Sequence, residues 1–530
     1  MKKILLLAIT ALYIGGIANA QLPGELDLLF GGTGKYYFPY GDSSISNGVV
    51  IQGNNKVVFS GAMLNPGSGY DVVVGRLIDG VLDFSFGPTG AGYCYDSYIG
   101  TDEHEAVVAI APDGRLVTSS WDQVGTPTGH AIFEFKSFTD NGILEGTGNI
   151  DLGVNSSDIA QDLAFNQTDA HWAQVGFSYI NYPDTNQVVM SVVYWRPIGP
   201  GLGPETGFDG DGRKWIFLQP YKYYYATATV IQPDGKILVA GYGLQGPSPA
   251  YNSAVVVVRL NTDGSFDSSF GGGAGWVQYD LVPGFTGLKT IHDMALQPDG
   301  KIVLAGSIDN TTRDFLVVRL EPDGDLDPAF GSAGVGMVSI DFIVQGESTE
   351  DNGRAVGIGK WGHVYVGGYN GDFELACLEP NGLLSTSFGI NGKTTTNMGG
   401  DDHVHALAID SLERIVLAGD ISISAICLAR YNGQISVATR ELATPVALQV
   451  YPNPLVQREF CLEMELPEDQ EAQLRLINME GQLVSVLDDT RWPAGAQRRC
   501  YRLPIYLPSG IYALQLKSLR YTGVVTMIVE

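Results

Sequence analysis

Short apolar runs alternate with Gly-containing turns along most of the chain, and two stretches repeat almost word for word. Ile231 to Gly241 reads IQPDGKILVAG, and Leu296 to Gly306 reads LQPDGKIVLAG. In each, an Asp-Gly pair separates two apolar runs, which predicts a β-hairpin because both residue types tolerate positive φ. A second block follows: VVVGRLIDGVLDFSFGPTG at Val72 to Gly90, VVVVRLNTDGSFDSSFGGGAG at Val255 to Gly275 and LVVRLEPDGDLDPAFGSAG at Leu316 to Gly334. That block adds a strand, another Asp-Gly turn and then Leu/Phe-Asp-x-x-Phe-Gly. Hairpin plus hairpin predicts a four-stranded unit of about sixty residues, the length of a propeller blade.

The first hairpin recurs as VVIQGNNKVVFSG from Val49, VAIAPDGRLVTSS from Val108, LAFNQTDAHWAQVG from Leu163, VGIGKWGHVYVGG from Val356 and LAIDSLERIVLAG from Leu407. With the two opening copies this predicts seven blades. The second block is offset by half a unit. It stands before the first hairpin as ELDLLFGGTG at Glu25 to Gly34, and after the last hairpin LARYNGQIS at Leu428 to Ser436 runs into a linker. A ring of blades needs its ends tied together, so the N-terminal strand is expected to complete the seventh blade. These blocks resemble the delta-60 repeat family over Gln21 to about Arg440. The resemblance is weakest over Leu163 to Phe208 and implies a β-propeller with no settled activity.

From Val437, VATRELATPVALQV breaks the period, and YPNPL then opens a stretch holding MEGQLV at Met479 to Val484 and LPSGIYALQLKS at Leu507 to Ser518. This order resembles the type IX secretion C-terminal sorting domain of the Bacteroidota. The resemblance implies a small Ig-like β-sandwich, recognised by an outer-membrane translocon and removed as the cargo is released or attached to surface lipopolysaccharide. Its sorting residues would be Pro452, Asn453, Pro454, Gly481, Gly510 and Tyr512. The last strand, TGVVTMIVE, lacks the basic residue often seen inside such tails. An ordinary Ig-like accessory domain is the alternative.

At the other end, Lys2 and Lys3, an apolar run and Ala18-Asn19-Ala20 have the order of a cleavable secretory signal, with a membrane anchor as the alternative. No later segment reaches the ~18 apolar residues of a spanning helix. The expected organisation is all-β: signal peptide 1–20, seven-bladed propeller 21–436, linker 437–449 and Ig-like sorting domain 450–530. Partners would be the Sec machinery and the type IX translocon, and the location the cell surface or the medium.

Composition agrees, since 68 Gly, 26 Tyr and 21 Phe suit many short strands and tight turns. A net charge of -27 argues against nucleic acid and anionic membranes as partners. It fits solubility or cation binding. Five cysteines make no disulfide framework. Cys461 and Cys500 could bridge the two sheets of the tail, although position alone does not fix their separation. Cys94, Cys377 and Cys427 read as buried small hydrophobes.

Aligning the first strand of each hairpin places one equivalent position near a mouth of the ring: Asn47, Ala106, Gln161, Thr227, His292, Arg354 and His405. Polar residues converging there would make a ligand site; strand entries that are polar because they are exposed are the simpler alternative. In GGDDHVHA, Asp401, Asp402, His403 and His405 could hold a divalent ion, or form a solvated loop. DGDLD at Asp323 to Asp327 spaces carboxylates like a calcium loop but lacks the later Gly and Glu, and turn chemistry explains it more simply. No G-x-S-x-G, H-E-x-x-H or phosphate loop is present. The expectation is a non-catalytic surface protein binding a glycan or a protein, without cofactor unless a divalent cation. A structural surface protein, or a hydrolase or lyase at the channel mouth, are the alternatives.

Overall fold

A computed structural model describes residues 22–529 apart from 41–42, 66–68, 97–102, 125–129, 154–155, 183–184, 199–200, 246–251, 281–284, 286, 345–346, 423, 435–443, 457, 479–482, 504–506 and 519–520. The expected signal peptide, most of the linker and Gly481 lie outside the described residues. Among the described residues no helix is long and apolar enough to cross a membrane.

The fold is all-β and propeller-like, built from antiparallel sheets whose strands follow one another in chain order. The 44–95 sheet runs Ser44–Gln52, Lys56–Asn65 and Gly69–Ile78, with Tyr93–Tyr95 outside. The 103–150 sheet follows, then the 156–216 and 223–279 sheets, which one parallel bridge joins at Val188 and Tyr223. The 288–340 and 352–396 sheets repeat the pattern. The last, 402–432, is completed by Lys35–Tyr37 from the other end of the chain, paired antiparallel to Ala425–Asn432.

Apolar residues fill the spaces between successive sheets. Leu238 and Val257 of one sheet meet Leu304 and Val318 of the next, all fully buried. The same layer joins the ends of the repeat region, where Phe59 and Val73 pack on Val416 and Leu428. Each such side chain contributes about 1.5–3 kcal/mol by leaving water.

The second block now has a physical reading. Arg259 Nε donates to Asp267 at 2.7 Å, its guanidinium lies 4.6 Å from the Phe270 ring centroid, and Nη1 donates to the Pro322 carbonyl of the next sheet at 2.5 Å. Arg319, Asp327 and Phe330 repeat the clamp onto Pro380, and Arg76, Asp83 and Phe86 repeat it onto Asp140. At the terminal sheet Arg430 makes it with Asp27 at 2.9 Å and Phe30 at 4.7 Å, residues supplied by the N-terminal segment. Asp327 therefore belongs to a clamp, and DGDLD is turn and clamp chemistry.

The Asp-Gly turns differ from the expectation in one respect. Only Gly235 takes positive φ (86°) in the first hairpin, and Asp234 instead accepts the Lys236 amide at 3.2 Å. This is a type I turn closed by a glycine in the left-handed region. Both residues are left-handed at Asp79-Gly80, with φ 47° and 80°.

The tail has its own strands and core. Leu483–Trp492, Gln470–Ile477, Gly510–Ser518 and Tyr521–Val529 lie side by side, and Gln449–Val456, Glu459–Leu466 and Gly495–Arg502 continue from them. Leu462, Leu474, Trp492, Leu514 and Met527 are buried between them. Cys461 and Cys500 are disulfide-bonded, with Cα atoms 3.9 Å apart. They are register partners on neighbouring strands, so the bond ties one strand pair rather than bridging two sheets as expected. Within Pro452-Asn453-Pro454, the Asn453 side chain bonds the neighbouring strand, donating to Thr526 O at 2.8 Å, where proline has no N–H to donate, and accepting from Ile528 N at 2.9 Å. Tyr512 donates to Pro508 O at 2.9 Å, and Gly510 opens the same strand.

Candidate functional site

The aligned polar positions sit in mid-strand, each at a β-bulge, rather than at strand ends as expected. Pairing slips between Ser46 and Gly48, Ala160 and Asp162, Ala226 and Ala228, Ile291 and Asp293, Gly353 and Ala355, and Val404 and Ala406. The residue skipped each time is Asn47, Gln161, Thr227, His292, Arg354 or His405. A bulge re-aims one side chain without moving the rest of the strand. The glycine that ends the second apolar run makes room for it. A Cβ on Gly61, Gly176, Gly241, Gly306 or Gly419 would stand 1.8–1.9 Å from the carbonyl oxygen preceding the bulge.

All six side chains line one cavity of about 560 Å³ where the first strands converge. Ala106, at the seventh aligned position, is fully buried and does not line it. Tyr70, Trp121 and Tyr369 add aromatic surface, and Asp162, Asp293, His403 and Asp420 add polar groups. Arg354 donates to His292 Nδ1 at 3.2 Å and to the Tyr369 hydroxyl at 3.3 Å. Thr227 donates to Ile291 O at 2.8 Å, which ties its hydroxyl to the next sheet.

Asp162 and Asp293 were missed by sequence reasoning, although each directly follows an aligned position. Asp162 accepts the amides of Leu163 (2.8 Å) and, across the sheet boundary, Thr229 (2.7 Å). Asp293 does the same with Met294 and Val356, both at 2.7 Å. Burial, with the Asp293 charge added, pushes Asp162 up to about 8, and burial pushes Asp293 up to about 6. Both carboxyls thus fasten neighbouring sheets at the cavity wall.

A guanidinium only donates, so His292 Nδ1 must accept, which requires the neutral ring. Burial first, then the charges of Arg354, His405 and Arg313, hold the His292 pKa well below the usual histidine value. In histidine-selective NMR the His292 ring is expected to remain neutral as pH falls past the ordinary histidine midpoint. Arg354→Ala removes a neighbouring positive charge and should raise its pKa; an unmoved titration curve would contradict the contact.

The four residues proposed as ion ligands do not gather at one point. His405 Nε2 lies 2.7 Å and His403 Nδ1 3.3 Å from the Asp420 carboxylate, whereas Asp402 is fully buried and accepts the Met398 amide. Asp401 stays exposed, 3.8 Å from His403. Among the described residues the carboxylates whose oxygens do converge are Asp314, Asp341 and Asp351. Cys94, Cys377 and Cys427 are buried free thiols, and burial pushes Cys94 up to about 12.

Fold and cavity together define an all-β, propeller-like repeat protein with a polar and aromatic cavity at the meeting point of its sheets. Residues 232–270 and 297–330 match the family described as "Domain of unknown function (DUF5122) beta-propeller". No curated protein matches the chain. Among solved structures, a Dyadobacter fermentans protein of unknown function is 9% identical, covering 76% of this chain and 98% of its own, with a TM-score of 0.38. An ulvan lyase of polysaccharide lyase family PL25 is 12% identical, covering 75% and 96%, with a TM-score of 0.38. The soluble aldose sugar dehydrogenase of Escherichia coli is 11% identical, covering 62% and 99%, with a TM-score of 0.32.

Proposed function

We propose that the chain is an exported seven-bladed β-propeller, closed by its N-terminal strand, that binds a glycan in the cavity where its blades meet. The observation that carries this reading is the convergence of six bulge side chains, from six sheets, on one cavity. Guanidinium, imidazole, amide and hydroxyl groups alternate there with Tyr70, Trp121 and Tyr369. Such a wall suits a ligand with hydroxyls on its edges and apolar faces between them. The residues 450–530 serve, in the same reading, as an Ig-like sorting domain for type IX export to the cell surface, after Sec export directed by residues 1–20. The separate core of the tail and the Asn453 anchor of its Pro-Asn-Pro segment support it.

Catalysis as a hydrolase or lyase is the weaker reading. Among the described residues no Ser or Cys lines the cavity, and both oxygens of Asp162 and of Asp293 already accept backbone amides. On a glycan array the chain from Gln21 onward is expected to bind. A variant with His292, Arg354 and His405 changed to alanine should bind at least ~100-fold more weakly, the loss of two charge-assisted hydrogen bonds. Equal binding by both proteins, or none by the unaltered chain, would overturn the site. Mass spectrometry of the secreted protein should find Gln21 as the first residue and the tail removed.

A further inference from the structure

Two acidic nests occupy equivalent places between sheets, and only one of them contains its own cation. Between the 44–95 and 103–150 sheets, the Lys136 ammonium, 1% exposed, donates to Glu103 at 2.7 Å, Asp96 at 3.0 Å and Glu134 at 3.1 Å. Glu103 also accepts the Val72 amide of the preceding sheet at 2.9 Å.

The register repeats between the 288–340 and 352–396 sheets. Just after the bulge, Ala355 pairs with Gly367 as Val107 pairs with Ser119. One residue further, Gly368 faces Glu374 as Ser120 faces Glu134. Asp351 accepts the Phe342 amide across the boundary, as Glu103 accepts that of Val72. Two residues beyond Glu374 stands Ala376, in the place of Lys136. The second nest thus keeps its acids and loses the ammonium.

It is also richer in carboxylates. One oxygen from each of Asp314, Asp341 and Asp351 lies within 4.8 Å of the others. Glu374 is fully buried with neither carboxylate oxygen partnered, and one oxygen of Asp341 is likewise buried and unpartnered. Glu374 shares a strand face with Ala376 and Leu378, which pack against Phe315, Ile340 and Phe342 of the preceding sheet. Its carboxyl therefore faces the preceding sheet, whose last strand runs directly into Asp341. Neither nearby cation fills the nest. Lys393 donates to the Asp341 carbonyl at 2.7 Å, and Arg313 Nε to Asp309 at 2.6 Å.

We propose that a calcium ion occupies this nest, held by Asp314, Asp341, Asp351 and Glu374, and ties the two sheets together as Lys136 does in the other. Two oxygens on one calcium ion stand at most ~5 Å apart, which the triad satisfies. The donor set is all oxygen, where zinc or copper would call for nitrogen or sulfur. Asn370, donating to Asp351 at 3.3 Å, orients a ligand from outside, as second partners in such sites do.

The test is equilibrium dialysis of the chelator-treated full chain against calcium, with thermal melts alongside. One calcium per chain and a melting midpoint raised by calcium are expected. Glu374→Gln should weaken calcium binding by at least about tenfold. Ala376→Lys, which returns an ammonium to the nest, should raise the midpoint of the chelated protein and abolish calcium binding. The assignment is overturned if the unaltered chain binds no calcium at millimolar concentration. It is overturned equally if magnesium acts as well as calcium, or if Ala376→Lys binds calcium like the unaltered chain.

Discussion

Arg430→Ala is expected to lower the stability of the chain by about 3 kcal/mol, more than the same change at Arg76, Arg259 or Arg319. Arg430 is fully buried and bonds Asp27 at 2.8 Å and Asp79 at 2.9 Å. Its removal leaves Asp27 with Arg414 at 3.4 Å, and Asp79 with Arg475 and with Arg414 at 3.7 Å, which compensate only in part. In the other clamps the Arg–Asp pair joins residues seven or eight positions apart, which a hairpin already holds together. Arg430 and Asp27 are 403 positions apart, so this clamp fixes the chain end that completes the last sheet. Deleting residues 21–46 removes Asp27, Phe30 and the Lys35–Tyr37 strand together and should cost more still.

The effect has a sign in pH. Burial raises the Asp79 pKa, but Arg475, Arg430, Lys517 and Arg414 outweigh it and hold the carboxyl well below the usual range. A depressed carboxylate stabilises above its unfolded pKa and loses that contribution as pH falls through its folded one. The gap between the unaltered chain and Arg430→Ala should therefore be full at neutral pH and shrink in acid. Urea midpoints check both statements, and an Arg430→Ala midpoint no lower than that of Arg319→Ala would refute the closing role.

The repeat was legible because hairpins are local: apolar runs, Asp-Gly turns and Leu-Asp-x-x-Phe-Gly all sit within a few residues of their partners. The clamp was not, since its last bond crosses to the next sheet. Alignment found the cavity residues without finding why they point inward, because a bulge is a property of two strands in register. Its one local trace is the glycine that ends KILVAG and KIVLAG. The ion site was sought where acids and histidines cluster along the chain, at Asp401 to His405. The carboxylates that gather come instead from Asp314, Asp341 and Asp351, separate segments brought together only by sheet packing. The Cys461–Cys500 bond was open for the same reason, as strand neighbours in the tail are set by long-range pairing.

Gly306→Ala should destabilise the chain by about 3 kcal/mol, at the upper end of ordinary overpacking, and disturb the cavity as well. Its Cβ would stand 1.8 Å from Thr290 O and 2.8 Å from Ile291 Cα, both backbone atoms that cannot rotate aside. Relief requires the strand to withdraw or the bulge at His292 to close. Closing it slips the pairing by one residue, and such a slip turns every later side chain to the opposite face. His292 would then leave the cavity and Arg354 would lose its acceptor. Gly146→Ala is the control, also within a strand but with nothing within 4 Å of the added carbon, and should stay within about 0.5 kcal/mol of the unaltered chain. Urea midpoints separate the two, and glycan binding follows the cavity. Similar losses at Gly306 and Gly146 would mean that the loss does not come from the close approach of the added carbon to Thr290 O. A loss confined to Gly306 and the equivalent Gly241, together with weaker binding, would make the repeated glycine the residue through which the repeat sequence specifies its cavity.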